Sequence, residues 1–195
     1  MKSKASRSQR RLFQVLPCFG DQCSLWGKKL ILTIHQPEFI PWLGFFHKIN
    51  QADVFVILDD VQFRKNYFHN RNRILIKGKP EWITVPIKSH KLKTNINKVL
   101  ISDSDNYEWK TKIINKVNLA YKKSQYYLEY IDKFKRILID STNNLSELNI
   151  SYILWMMKEL DINTEIIMSS SMSVNGLGSE KIFNLCKYMN ADTYL

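Results

Sequence analysis

Two short apolar runs, Leu30–Ile34 and Val54–Leu58, constrain the fold of this chain more than any other feature. Both are rich in Ile, Val and Leu and lack the alternation of a half-buried strand. That is the pattern of strands covered on both faces of a parallel sheet. The segment between them opens with Pro37 and Pro41, whose fixed φ forces extended backbone and a turn. Trp42–Gln51 then fits a helix with Leu43, Phe46 and Ile49 facing inward. Strand, turn, helix and strand in that order make a compact parallel β-α-β unit, expected to be right-handed. His35 and Gln36 leave the first strand, and Asp59 and Asp60 leave the second. This brings polar groups to the carboxyl edge, where open α/β sheets bind ligands.

The remainder extends the same class. Ile74–Ile76, the turn Lys77-Gly78-Lys79-Pro80 and Trp82–Ile87 read as a hairpin, and Asn95–Ile101 as a further strand. Ser102-Asp103-Ser104-Asp105 is expected to cap the next helix. Helices are predicted over 106–122, 126–140, 145–160 and 179–188, a strand over Glu165–Met168, a loop over Ser169–Gly178 and a last strand over Asp192–Leu195. The predicted fold is α/β, with a mainly parallel, Rossmann-like sheet, flanking helices and a small β-hairpin insertion. Because the sequence stops on a strand, the fold is expected to be truncated at its C-terminus.

Residues 1–29 carry seven Lys or Arg against one acidic residue, and the other 166 carry 22 against 17. The first segment reads as a disordered or non-native basic extension. Its apolar part, Leu12–Phe19, is short, broken by Gln14 and Pro17, and followed by no small-residue cleavage signal. Residues 30–195 then form the α/β domain. Its mild basic surplus is a solvated Lys-rich surface, which makes nucleic acid an unlikely partner and leaves room for an anionic small molecule. No apolar run approaches the ~20 residues of a membrane span. Cys18, Cys23 and Cys186 fit neither a disulfide framework nor a zinc site, so a reducing, cytoplasmic setting is expected.

Candidate chemistry centres on the strand ends. His35 is placed to act as a general base or to contact phosphate or carboxylate; the alternative is a turn histidine satisfied by backbone. Asp59 and Asp60 suit orienting a base or holding a substrate amine or hydroxyl, or else capping the next turn. Two carboxylates do not make a metal site, since hard cations need more oxygen ligands, and no residue pattern names a cofactor. Asn70, Arg71 and Arg73 offer planar forks for phosphate or carboxylate, or ion pairs to Asp59 or Asp60. Trp42, Phe45, Phe46, Tyr67 and Phe68 read as core or pocket wall, and His47 as structural; His69 and His90 have no clear context. The Ser169–Ser171 and Asn175–Ser179 loop offers backbone N–H groups to an anion but matches neither GxxxxGK[ST] nor GxGxxG.

The run HQPEFIPWLGFFHKINQADVFVILDDVQF, followed by NRNRI, WITVPI, Trp109, the Tyr121–Tyr127 region, Leu145–Asn149 and the closing MNADTYL, resembles the WbqC-like proteins of bacterial polysaccharide gene clusters. The resemblance covers residues 30–195. Family members usually begin near Leu30 and continue past TYL with a Ser-Gly and a Tyr-Leu segment. It implies a role in O-antigen or capsule biosynthesis and a glycyl or aminoacyl transfer to an amino sugar in a nucleotide-sugar or lipid-linked precursor. By position, His35, Asp59 or Asp60 would serve as base, with Gln36, Gln62, Asn70, Arg71 and Arg73 holding donor or acceptor. No Cys or Ser stands out as a nucleophile, so direct transfer is the simpler scheme. Two competitors remain: a nucleotidylyltransferase, although HxGH spacing is absent, and a non-catalytic binder of glycan precursors.

Overall fold

The computed structural model describes residues 29–104 and 106–195. The basic extension expected over residues 1–29 therefore lies, Lys29 excepted, outside the described residues. The chain runs β1 (Ile31–His35), α1 (Leu43–Asn50), β2 (Val54–Ile57), β3 (Arg71–Ile76) and β4 (Lys79–Thr84). It continues through α2 (Glu108–Tyr121), α3 (Tyr127–Ile139), α4 (Leu145–Glu159), β5 (Glu165–Met168), α5 (Ser179–Tyr188) and β6 (Thr193–Tyr194).

The two apolar runs are neighbours in a four-stranded sheet of order β5-β2-β1-β6, in which every pairing is parallel. The register sets Leu32 beside Val54 and His35 beside Ile57, and Ile57 in turn beside Met168. Alternate side chains feed opposite faces. Phe55 and Ile57 pack with Phe45, Phe46 and Ile49 of α1 and with Ile150, Ile153 and Met157 of α4. Leu32, Ile34, Val54, Val56 and Leu58 pack against Leu185 of α5. The chain thus steps from β1 to β2 to β5 in one direction, then returns past both to place β6 on the other side of β1. The order reverses between β1 and β6, the switch point at which doubly wound sheets open a crevice.

A second core lies beside the sheet. Phe39, Phe63, Ile83, Val85, Ile101, Trp109, Ile113, Phe134 and Leu138 gather around Leu145, Leu148 and Tyr152 of α4. That helix is apolar on two sides because it serves both cores. Asn144 starts it, its side chain accepting from Glu147 N–H at 3.1 Å.

The fold corrects several sequence expectations. Leu43 and Trp42 are exposed, Trp42 at 69%. The helix begins one residue later and presents Phe45, Phe46 and Ile49 instead. The hairpin turns on two residues, Lys77 (φ 51°) and Gly78 (φ 77°), the left-handed pair that suits the strand twist. Its first strand therefore reaches back to Arg71. Asn95–Ile101 is a 3-10 turn at Ile96–Lys98 with isolated bridges. The Ser102–Asp105 run does not cap α2: Asn106 and Tyr107 adopt positive φ and displace it, and Asp103 pairs with Lys88 at 3.2 Å. Among the described residues no helix is long and apolar enough to cross a membrane.

Candidate functional site at the strand ends

The carboxyl ends of the parallel strands carry two polar clusters, and the sequence candidates divide between them. The first follows β2. Asp59, 3% exposed, accepts from Ser169 Oγ (3.0 Å), Ser170 N–H (2.9 Å), Ser170 Oγ (2.7 Å) and Asn97 Nδ2 (3.2 Å). Its own N–H donates to Ser169 Oγ. Asp60 accepts from Ser169 Oγ at 2.6 Å and pairs with the buried ammonium of Lys181, which also donates to Val174 O. The single Ser169 proton thus faces two carboxylates, and the shorter contact is to Asp60. This cluster fastens the end of β2 to the residues after β5 and to α5. The Ser169–Ser171 loop, anticipated as an anion cradle, gives its hydroxyls to these carboxylates and to Met168 O.

The second cluster follows β1. His35 Nδ1 lies 3.0 Å from Gln36 O, and since a carbonyl only accepts, Nδ1 carries a proton; in the neutral form of the ring the lone pair is then on Nε2. Phe45 holds the ring edge-on, centroid to centroid 4.9 Å. Gln36 Oε1 accepts from Nε2–H of His69 at 2.7 Å, while His69 Nδ1 accepts the Arg64 N–H. Both histidines are thereby fixed in tautomer. His69 is fully buried; burial, helped by Arg64 and His35, pushes its pKa down to about 4, so its ring is neutral. Burial also raises the Glu38 carboxyl, and the neighbouring His35 pulls it partway back. Glu38 is itself buried.

The frame around this cluster is tightly laced. Asn149 of α4, wholly buried, donates to Pro37 O (2.9 Å) and His69 O (2.8 Å), and Phe39 N–H donates to Phe68 O. Asn72 Nδ2 donates to Phe39 O (3.2 Å) and Ile40 O (2.7 Å). Those bonds hold Ile40 at φ 50°, a conformation that β-branched residues rarely adopt. Three buried amide oxygens have no partner among the described residues: Asn70 Oδ1 and Asn149 Oδ1 here, and Asn97 Oδ1 beside Asp59 in the first cluster.

The structure brings together His35 and Gln36, and separately Asp59 and Asp60. Asn70 is buried and donates to Val85 O. Arg71 and Arg73 lie on the hairpin around Trp82, without ion pairs to Asp59 or Asp60. Gln62 is exposed and tied to Leu92 O, away from both clusters. Glu38, His69, Asn149 and Lys181 went unread in the sequence. Among the described residues no group of three or more His, Cys, Asp or Glu gathers to hold a metal ion. The thiol of Cys186 is pushed up by burial and stands on α5 in the sheet core, a poor nucleophile.

A family model described as the WbqC-like protein family matches residues 36–195. The uncharacterized protein Rv1507c of Mycobacterium tuberculosis is 30% identical over 166 residues, 84% of this chain and 71% of the relative. No solved structure matches the chain.

Proposed function

The chain belongs to the WbqC-like protein family, and from that premise we propose that it acts in surface-polysaccharide biosynthesis as a transferase of acyl or aminoacyl groups to an amino-sugar precursor. The observation that carries this reading is the His35 tautomer. The ring stands at the end of β1 next to the switch point, and its Nδ1–H is committed to Gln36 O. Nε2 is left basic, as a general base requires. In the proposed step the sugar amine bonds to the acyl carbon and its proton passes to His35 Nε2. The bond from acyl carbon to leaving group breaks with its electron pair on the leaving group. Glu38 lies close enough to His35 for the two side chains to interact electrostatically. Asp59 and Asp60, whose acceptors already have donors, hold the scaffold in this reading. In this reading the reaction takes place in a reducing, cytoplasmic setting, which the few scattered cysteines support.

The test is mass spectrometry of nucleotide-linked amino sugars incubated with the full chain and aminoacyl donors. An amide-linked product formed by the wild type and lost in His35→Ala supports the reading. Pyrophosphate release from a nucleoside triphosphate, with no acylated sugar, would favour nucleotidyl transfer instead. Precursor binding without product would favour the non-catalytic binder.

A further inference from the structure

The outer face of the hairpin carries charge that the strand-end chemistry does not use. Arg71 and Arg73 occupy alternate positions of β3 and so share one face, and Trp82 stands opposite Arg73 on β4. The Arg71 guanidinium lies 4.1 Å, and that of Arg73 5.2 Å, from the centroid of the same indole. Two like charges at one ring repel, and the indole offsets only part of this. Among the described residues no carboxylate pairs with either arginine, and Glu81, the acid on β4, is taken by Lys116 at 3.0 Å. Arg71 donates to Asn66 O, while its buried Nε has no partner among the described residues. Arg73 is exposed.

We propose that this face binds the diphosphate of a nucleoside diphosphate-linked substrate, with Arg71 and Arg73 gripping the phosphate oxygens and Trp82 walling the nucleoside. Guanidinium forks match phosphate oxygens in bidentate fashion, and two of them match the charge of a diphosphate. Trp82, 40% exposed, keeps ring surface on which a base can stack. The location fits. β3 begins two residues after His69, whose ring bonds Gln36 at the end of β1. The inference rests on the transferase reading and names the donor or acceptor handle that site would engage.

Titration calorimetry with the full chain tests it, using UDP as the probe. UDP is expected to bind, inorganic pyrophosphate to compete with it more weakly, and farnesyl diphosphate to compete no better than pyrophosphate. Arg73→Gln is expected to weaken UDP binding by about tenfold or more with an unchanged melting midpoint, and Arg73→Lys to restore only part of it. His35→Ala is expected to bind UDP as the wild type does. Absence of UDP binding at millimolar concentration, wild-type affinity in Arg73→Gln, or farnesyl diphosphate binding tighter than UDP would each overturn the proposal. If His35→Ala abolishes UDP binding while Arg73→Gln does not, the diphosphate sits at the strand end. The hairpin assignment then fails and the transferase reading stands.

Discussion

β1 and β2 end side by side, His35 in register with Ile57, yet the polar groups beyond them are organised in opposite ways. After β2, the Asp59 carboxylate meets four donor groups and Asp60 meets a hydroxyl and a buried ammonium. After β1, His35 commits only Nδ1 to a hydrogen bond, Glu38 is buried beside it, and Asn149 Oδ1 is unpartnered among the described residues. Asn97 Oδ1 beside Asp59 is unpartnered too, so the contrast rests on the carboxylates themselves: with their oxygens all engaged, they contribute rigidity and have little left to offer a ligand. An unsaturated cluster is costly to keep folded and persists where the surrounding frame holds it in place. The contrast separates a structural strand end from a chemical one, and mutants should respond accordingly.

The largest loss of stability is expected at the saturated end. Lys181→Met leaves the Asp60 carboxylate without its cation, an uncompensated charge worth about 3–5 kcal/mol when buried. Since the Asp60 side chain is 20% exposed, the lower part of that range is expected in urea unfolding. Wild-type stability in this variant would place the functional site here instead.

Acid comes next. The His69 pKa is about 4 in the folded protein and near 6.5 unfolded. The unfolded chain therefore binds the extra proton between those values, and stability falls as pH drops from 6.5 towards 4. Between pH 7.5 and 5 this amounts to about 2 kcal/mol by linkage. Urea titrations at the two pH values should show that loss in the wild type and its removal in His69→Gln.

Asn72→Ala withdraws the donor that braces Phe39 O and Ile40 O, and a loss of about 1 kcal/mol is expected from the lost bonds, offset in part by any φ strain released at Ile40. The smallest effect is expected at His35→Ala. That ring is half-buried and makes one backbone hydrogen bond, so thermal unfolding should shift by under about 1 kcal/mol.

Elements that bury a complete period were legible in the sequence. β1 and β2 were marked by apolar runs, Pro37 and Pro41 separated β1 from α1, and Glu165–Met168 and 179–188 were found with their observed limits. On α1, Phe46 and Ile49 are buried as expected, but Leu43 at the first helical position is exposed and Phe45 is buried in its stead. The placement of Arg71 in a strand had a signal, the period-two alternation of Asn-Arg-Asn-Arg-Ile. The hidden members of the two clusters had none. His69 meets Gln36 from 33 residues away, Asn149 meets Pro37 from 112, and Lys181 meets Asp60 from 121. Such contacts exist only once the sheet and α4 bring distant segments together, and no local pattern records them.

The most direct measurement compares acyl-transfer rate and melting midpoint in His35→Ala and Lys181→Met. General-base removal is expected to slow transfer by about 10²–10⁴-fold in His35→Ala with a near wild-type midpoint. Lys181→Met, assayed where it is still folded, should keep transfer within several-fold while melting far lower. Transfer retained in His35→Ala, or lost in folded Lys181→Met, would contradict the division of the two strand ends into chemistry and scaffold.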